Sequence, residues 1–164
     1  MTHTKHNTQN ITFVHIEQLA LDSQNPRLPS RDVLERTQQA MLEYLARETS
    51  IEELMSAIAE NDFFEGESLI VIPKDKQPDQ YIVVEGNRRL IALRLLQEPD
   101  LYPKRKRLKE IAENAKYKPD KVPIFVYYNR KEVLDYLGYR HITGIKQWDI
   151  LAKARYMHRL SVNR

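Results

Sequence analysis

From Tyr81 to Leu96 the chain reads Tyr-Ile-Val-Val-Glu-Gly-Asn-Arg-Arg-Leu-Ile-Ala-Leu-Arg-Leu-Leu, and this run leaves little choice of local structure. Tyr81 to Val84 are β-branched or aromatic and read as a buried strand. Gly86 interrupts them. Leu90, Leu93, Leu95 and Leu96 then recur at helical spacing, so a helix is expected from about Asn87 to Gln97. A strand entering a helix through one glycine aims free backbone N–H groups at a single point and favours an anion there. Arg88 and Arg89 fall in the first helical turn. Cations at that end oppose the helix dipole, at roughly 0.3–1 kcal/mol each, and a bound phosphate would reverse the sign of that cost. Pairing of the two arginines with a nearby carboxylate such as Glu85 is the structural alternative.

The 164 residues suffice for a domain with a real core, with 41% apolar and 30% charged residues, as in ordinary globular proteins. There is no cysteine, which removes disulfides, thiolate zinc sites and cysteine nucleophiles together. Met1 to Asn10 is polar, has no apolar leader core and is expected to be a flexible arm. No apolar run has the length of a membrane span. A cytoplasmic protein of bacterial type is the simplest expectation. The net charge of +3 permits a nucleotide or DNA as partner without demanding either.

Around the central stretch the pattern alternates. Ile11 to Leu19 reads as one short strand, and Leu21 to Ser30, with two prolines, as a loop carrying Arg27. Arg31 to Arg47 reads as a helix. A second begins at the capping box Ser50-x-x-Glu53 and ends near Asn61. A loop with Phe63, Phe64 and Gly66 leads to a strand over Ser68 to Pro73, joined to the central strand by a hairpin-like connection. Lys104 to Lys118 reads as a helix with a basic start, which is either a solvated face or a contact to a nucleic-acid backbone. Lys121 to Tyr128 is a strand in which Pro123 marks a start or an edge. A short helix over Arg130 to Leu137 is then followed by a second glycine-bounded turn, Gly138 to Gly144, and a helix from Ile145 to Leu160. Short strands and helices mixed in this way point to an α+β fold, with a small mixed sheet and surrounding helices.

Several chemistries are absent. No G-x-x-x-x-G-K-[ST] phosphate loop occurs, and no H-E-x-x-H or paired-histidine zinc spacing appears among the five histidines. His141 stands beside Arg140 at the expected second turn, where an imidazole can donate to phosphate or simply cap the helix. Glu85 is the carboxylate nearest the first turn and can hold Mg²⁺, act as a general base or pair with an arginine.

Taken together, Val84-Glu-Gly-Asn-Arg-Arg-Leu-Ile-Ala92 resembles the G-x-R-R box of ParB-type partition proteins. Ile58 through Phe64-Glu-Gly-Glu-Ser-Leu-Ile-Val71, Asn25-Pro-Arg-Leu28 and Arg140-His-Ile-Thr-Gly144 with Trp148 resemble further segments of that family, in the same order. The resemblance implies the compact ParB/sulfiredoxin fold over residues 11–164, as the N-terminal part of a longer protein. It implies a nucleotide ligand, ATP or CTP, with Mg²⁺. Gly86, Asn87, Arg88 and Arg89 would cradle the phosphates, Arg140, His141 and Thr143 would close a second wall, Phe64 and Gly66 would lie by the base, and Arg27 would belong to the entry loop. Glu85 and His141 are the candidate catalytic residues, and Glu85 the candidate metal ligand. Asn87 stands where a sulfiredoxin has its cysteine, which excludes sulfinic-acid reduction. Arg140-His-Ile-Thr143 departs from the Glu-Asn-x-x-Arg pattern of partition proteins. The expected function is therefore a nucleotide-binding hydrolase or phosphoryl-transfer domain in a DNA-related or defence setting. DNA binding or cleavage, and nucleotide sensing without catalysis, are the alternatives. A second copy of the chain or a further C-terminal domain is the expected protein partner.

Overall fold

The computed structural model describes residues 11–48 and 50–143, with the backbone alone for Glu48 and for residues 139–143. Two compact units divide after Arg130. The first holds a five-stranded mixed sheet in the order β1-β5-β3-β4-β2. Its strands are β1 (Thr12–His15), β2 (Leu19–Leu21), β3 (Leu69–Pro73), β4 (Tyr81–Glu85) and β5 (Lys121–Val126). The helices of this unit are α1 (Gln38–Glu48), α2 (Ile51–Asn61), α3 (Asn87–Gln97) and α4 (Lys106–Glu113). A further helix, α5 (Arg130–Thr143), belongs to the second unit beyond its first residue. The α+β class and mixed sheet expected from the sequence are those observed.

The single strand expected over Ile11 to Leu19 is two strands. β1 pairs antiparallel with β5, and β2 pairs parallel with β4, on opposite edges of the sheet. Only a 3-10 turn, Ile16–Gln18, joins them. In a flat sheet, four gaps of ~4.8 Å would hold these edges ~19 Å apart. The four residue steps from His15 to Leu19 span at most ~14 Å. The sheet therefore curls, and its edges approach one another. Gln18 fixes the turn, accepting from the His15 N–H and donating to the Asp79 carbonyl, both at 2.9 Å.

α3 lies at the centre of the core. Leu90, Ile91, Ala92, Leu93, Leu95 and Leu96 are fully buried, so past its first turn the helix is apolar except for Arg94 and the exposed Gln97 at its end. It packs against α1, α2, α4 and the β2–β4 side of the sheet. The free edge of β2 is covered by side chains. The Gln38 amide exchanges two hydrogen bonds with the Leu21 backbone, and Arg94 donates to the Leu19 carbonyl. Such cover protects an edge from pairing with another chain.

Other boundaries moved for local reasons. The helix expected from Arg31 begins only at Gln38. Turns occupy the preceding segment, Thr37 Oγ1 accepts from the Ala40 N–H, and Arg36 donates to the Pro29 carbonyl. Ser50 is the N-cap of α2, but its side chain makes no capping hydrogen bond, so the expected capping box is not formed. The helix expected over Lys104 to Lys118 is confined to Lys106–Glu113 and closes at Asn114, whose side chain bonds the Glu110 carbonyl at 2.8 Å. β5 is an interior strand, yet Pro123 precedes the part flanked on both sides, because β3 pairs with β5 only from Ile124 onward.

The largest correction concerns Gly138. The expected turn from Gly138 to Gly144 does not form there: α5 runs unbroken from Arg130 to Thr143. Gly138 has no positive φ, and its Cβ position is open space. A mid-helix glycine costs about 1 kcal/mol relative to alanine, which neighbours of ordinary helix propensity tolerate.

The buried position of α3 yields a stability prediction. Leu93→Ala is expected to lower unfolding free energy by about 2–5 kcal/mol, the range for emptying a close-packed leucine site. Urea denaturation followed by circular dichroism measures it, and a loss below about 1 kcal/mol would contradict the central role of α3.

Candidate functional site

β4 ends at Glu85, Gly86 turns the chain, and α3 begins at Asn87. Gly86 is left-handed, with φ 106° and ψ 21°, and no side chain caps the helix. A Cβ on Gly86 would stand 2.4 Å from Leu69 Cδ2 and 3.0 Å from an Arg89 guanidinium nitrogen. Glycine is thus required here twice, by conformation and by space. The uncapped first turn of α3 presents N–H groups that have no acceptor within the helix.

The two arginines have different surroundings. Arg89 lies against Glu67, donating to its carbonyl and standing 3.3 Å from its carboxylate. The carboxylate that meets an arginine here is therefore Glu67, and not Glu85 as the local sequence suggested. Arg88 is half-buried, and its Nε is shielded from solvent without a hydrogen-bond partner. Glu85 is half-buried at the end of β4, in register with Ile70.

Asn87, the second residue of the expected phosphate cradle, has its side chain engaged in the interior. It is 6% exposed. Its Oδ1 accepts from the Asp22 N–H at 3.1 Å, and its Nδ2 donates to the Val83 carbonyl at 2.9 Å. The side chain is committed to the interior, and the backbone N–H is what Asn87 offers an anion. Asp22 is itself buried and forms a bidentate pair with Arg130, at 2.8 and 3.0 Å. It also accepts from the Gln24 N–H at 3.0 Å. Asp22, Arg130 and Glu67 were not read as site residues from the sequence. Asp22 and Arg130 lie 108 positions apart, and no local pattern joins them.

The remaining candidates lie on other elements. Arg27 is exposed, in a loop whose Asn25 carboxamide accepts from the Arg27 N–H at 3.0 Å. Phe63 packs on the core while Phe64 is 66% exposed. Gly66 sits in an exposed 3-10 turn, Glu65–Glu67, where nothing would touch an added Cβ. Arg140, His141 and Thr143 have helical backbone in α5, not the helix-start geometry expected of them. Their side chains, and the segment from Gly144 to Leu160 with Trp148, lie outside the described residues.

The basic run before and within α4 is interleaved with acids. Arg105 stands 3.9 Å from Glu52, Arg107 3.2 Å from Glu110, and Lys109 4.0 Å from Asp100. Such pairs near the surface are worth little to stability. Among the described residues no cluster of three or more histidines or carboxylates could hold a metal, and no helix is long and apolar enough to cross a membrane.

No family model matches the chain, and no curated protein matches it. Among solved structures, the chain is similar to the C-terminally truncated chromosome-partitioning protein ParB from Caulobacter crescentus in complex with CTP-gamma-S. The TM-score is 0.49 and the sequence identity 18%, over 86% of this chain and 56% of that one. The chain thus spans little more than half the length of that solved chain.

The left-handed turn gives a direct test. Gly86→Ala is expected to cost about 1–3 kcal/mol from backbone strain, with a further loss from the clash against Leu69. Thermal unfolding measures it, and an unchanged midpoint would contradict the tight approach of Leu69 to the turn.

Proposed function

We propose that the chain binds a nucleoside triphosphate, CTP or ATP, with its phosphates against the Gly86 turn. The observation that carries this reading is Arg88. Its Nε is buried and unpartnered beside an uncapped helix start, where a cation is otherwise unfavourable. A phosphate oxygen would satisfy the orphan N–H, the dipole and the cationic charge together. The motif resemblance around Val84 to Ala92 supports the same ligand class.

Mg²⁺ fits the donor set as a companion of the phosphates rather than as a resident ion. Magnesium is commonly held by one or two carboxylates together with phosphate oxygens; Glu85 ends the strand before the turn, and Glu67 meets Arg89 of its first helical turn. Glu85 is the residue to orient a water for hydrolysis or to accept a proton in phosphoryl transfer. The exposed ring of Phe64 offers a face on which a base can stack.

Isothermal titration with CTP and ATP, each with and without Mg²⁺, tests the reading. Micromolar or tighter binding of one nucleotide is expected, weakened at least about tenfold by Arg88→Ala, the scale of one charge-assisted hydrogen bond. Arg107→Ala, on the exposed face of α4, is expected to leave it unchanged. A folded protein that binds neither nucleotide would overturn the proposal. Phosphate release, measured on the same samples with Glu85→Gln, separates hydrolysis from sensing: hydrolysis predicts turnover that this substitution abolishes.

A further inference from the structure

The far end of α3 lines a cavity of about 660 Å³, a size typical of small-ligand pockets, and none of its lining residues belongs to the Glu85–Arg89 turn. Arg94 stands in its wall. The guanidinium donates to the Leu19 carbonyl and to Gln38 Oε1, both neutral acceptors. Among the described residues no ion pair involves Arg94. Burial pushes its pKa below the ordinary arginine value. Covering the edge of β2 explains where Arg94 points, but neutral carbonyls do not offset a desolvated charge.

The rest of the cavity has the opposite character. Ile16, Leu42 and Leu101 give it apolar surface. Glu17, Glu98 and Asp120 are exposed lining residues and make its mouth acidic. This mouth is built rather than loose. Gln97 donates to the Lys118 carbonyl at 2.7 Å, the Ile16 N–H donates to the Asp120 carbonyl at 2.9 Å, and His15 Nδ1 lies 3.9 Å from the Asp120 carboxylate. A polyanion such as a triphosphate would be repelled by three carboxylates at the mouth, and a simple cation by Arg94.

We propose that this cavity binds a small zwitterion with an apolar body, of amino-acid or dipeptide size. Its carboxylate pairs with Arg94, its ammonium meets the acidic mouth formed by Glu17, Glu98 and Asp120, and its side chains lie on Ile16, Leu42 and Leu101. The site is separate from the Gly86 turn and does not rest on the nucleotide reading.

Titration calorimetry of the full chain with L-leucine and L-leucyl-L-leucine tests the proposal. The C-terminal amide and the N-acetyl form of the dipeptide serve as comparisons. Saturable binding of at least one free zwitterion is expected, with each blocked form at least about tenfold weaker, because each loses one charge-assisted contact. Leu101→Trp, which fills the cavity and leaves Arg94 in place, is expected to abolish binding. Glu98→Gln is expected to weaken the free dipeptide and spare the N-acetyl form. CTP affinity is expected to be unchanged in Glu98→Gln, so failure at either site is distinguishable from failure at the other. No saturable binding of leucine or the dipeptide at millimolar concentration, or equal binding of the amide, would overturn the assignment.

Discussion

A three-residue turn between strands on opposite edges of one sheet sets the geometry on which the rest depends. Because Ile16–Gln18 must bridge β1 and β2, the sheet cannot lie flat. Curling brings β2 alongside β4 in parallel, with Leu21 opposite Val83. The next residue on β2's side is Asp22, and the chain beyond Val83 reaches the Gly86 turn. The contact between Asp22 and Asn87 thus follows from strand register.

That contact lies at a junction of three segments. Asp22 receives N–H donors from Gln24 and both arms of Arg130, while its own N–H is held by Asn87. A carboxylate this deeply buried is tolerated because its charge is paired and its lone pairs are occupied. Removing one partner of such a pair generally costs several kcal/mol, since the other charge is left stranded. The loop after β2, the glycine turn and the start of α5 are fixed at one point by this arrangement. α3 divides its duties accordingly. Its leucines hold the core, its uncapped first turn faces the candidate phosphate site, and Arg94 serves the opposite end.

Much of this could be read locally. The strand, the glycine and the helix over Tyr81 to Gln97 follow from side-chain period and from the one residue that tolerates a left-handed φ. The hairpin of β3 and β4 follows from two apolar runs around a polar connection. Reading failed where a local rule met a distant contact. Ile11 to Leu19 reads as one strand because every residue suits a strand, yet Gln18 bonds Asp79 and turns the chain. Pairing of the arginines with Glu85 is the local alternative by proximity in sequence, but the carboxylate that meets Arg89 is Glu67, from the turn before β3. Gly138 reads as a turn because glycine often marks one, although its helical neighbours carry it through. The inward bonds of the Asn87 carboxamide, to the Asp22 N–H and the Val83 carbonyl, likewise have no local signal.

Local pattern was enough to set the α+β class, the position of the glycine turn, the apolar body of α3 and the concentration of cationic charge at its start. These depend on periodicity, backbone conformation and residue type, which are properties of neighbouring residues. It took the assembled fold to fix which carboxylate meets which arginine, that the Asn87 side chain faces inward, that β1 and β2 lie on opposite edges, and that half-buried Arg94 has no ion pair among the described residues beside an acidic cavity. Those outcomes depend on which segments the curled sheet brings together. Burial then makes each choice consequential, because a polar group removed from water must find its partner in whatever part of the chain lies beside it.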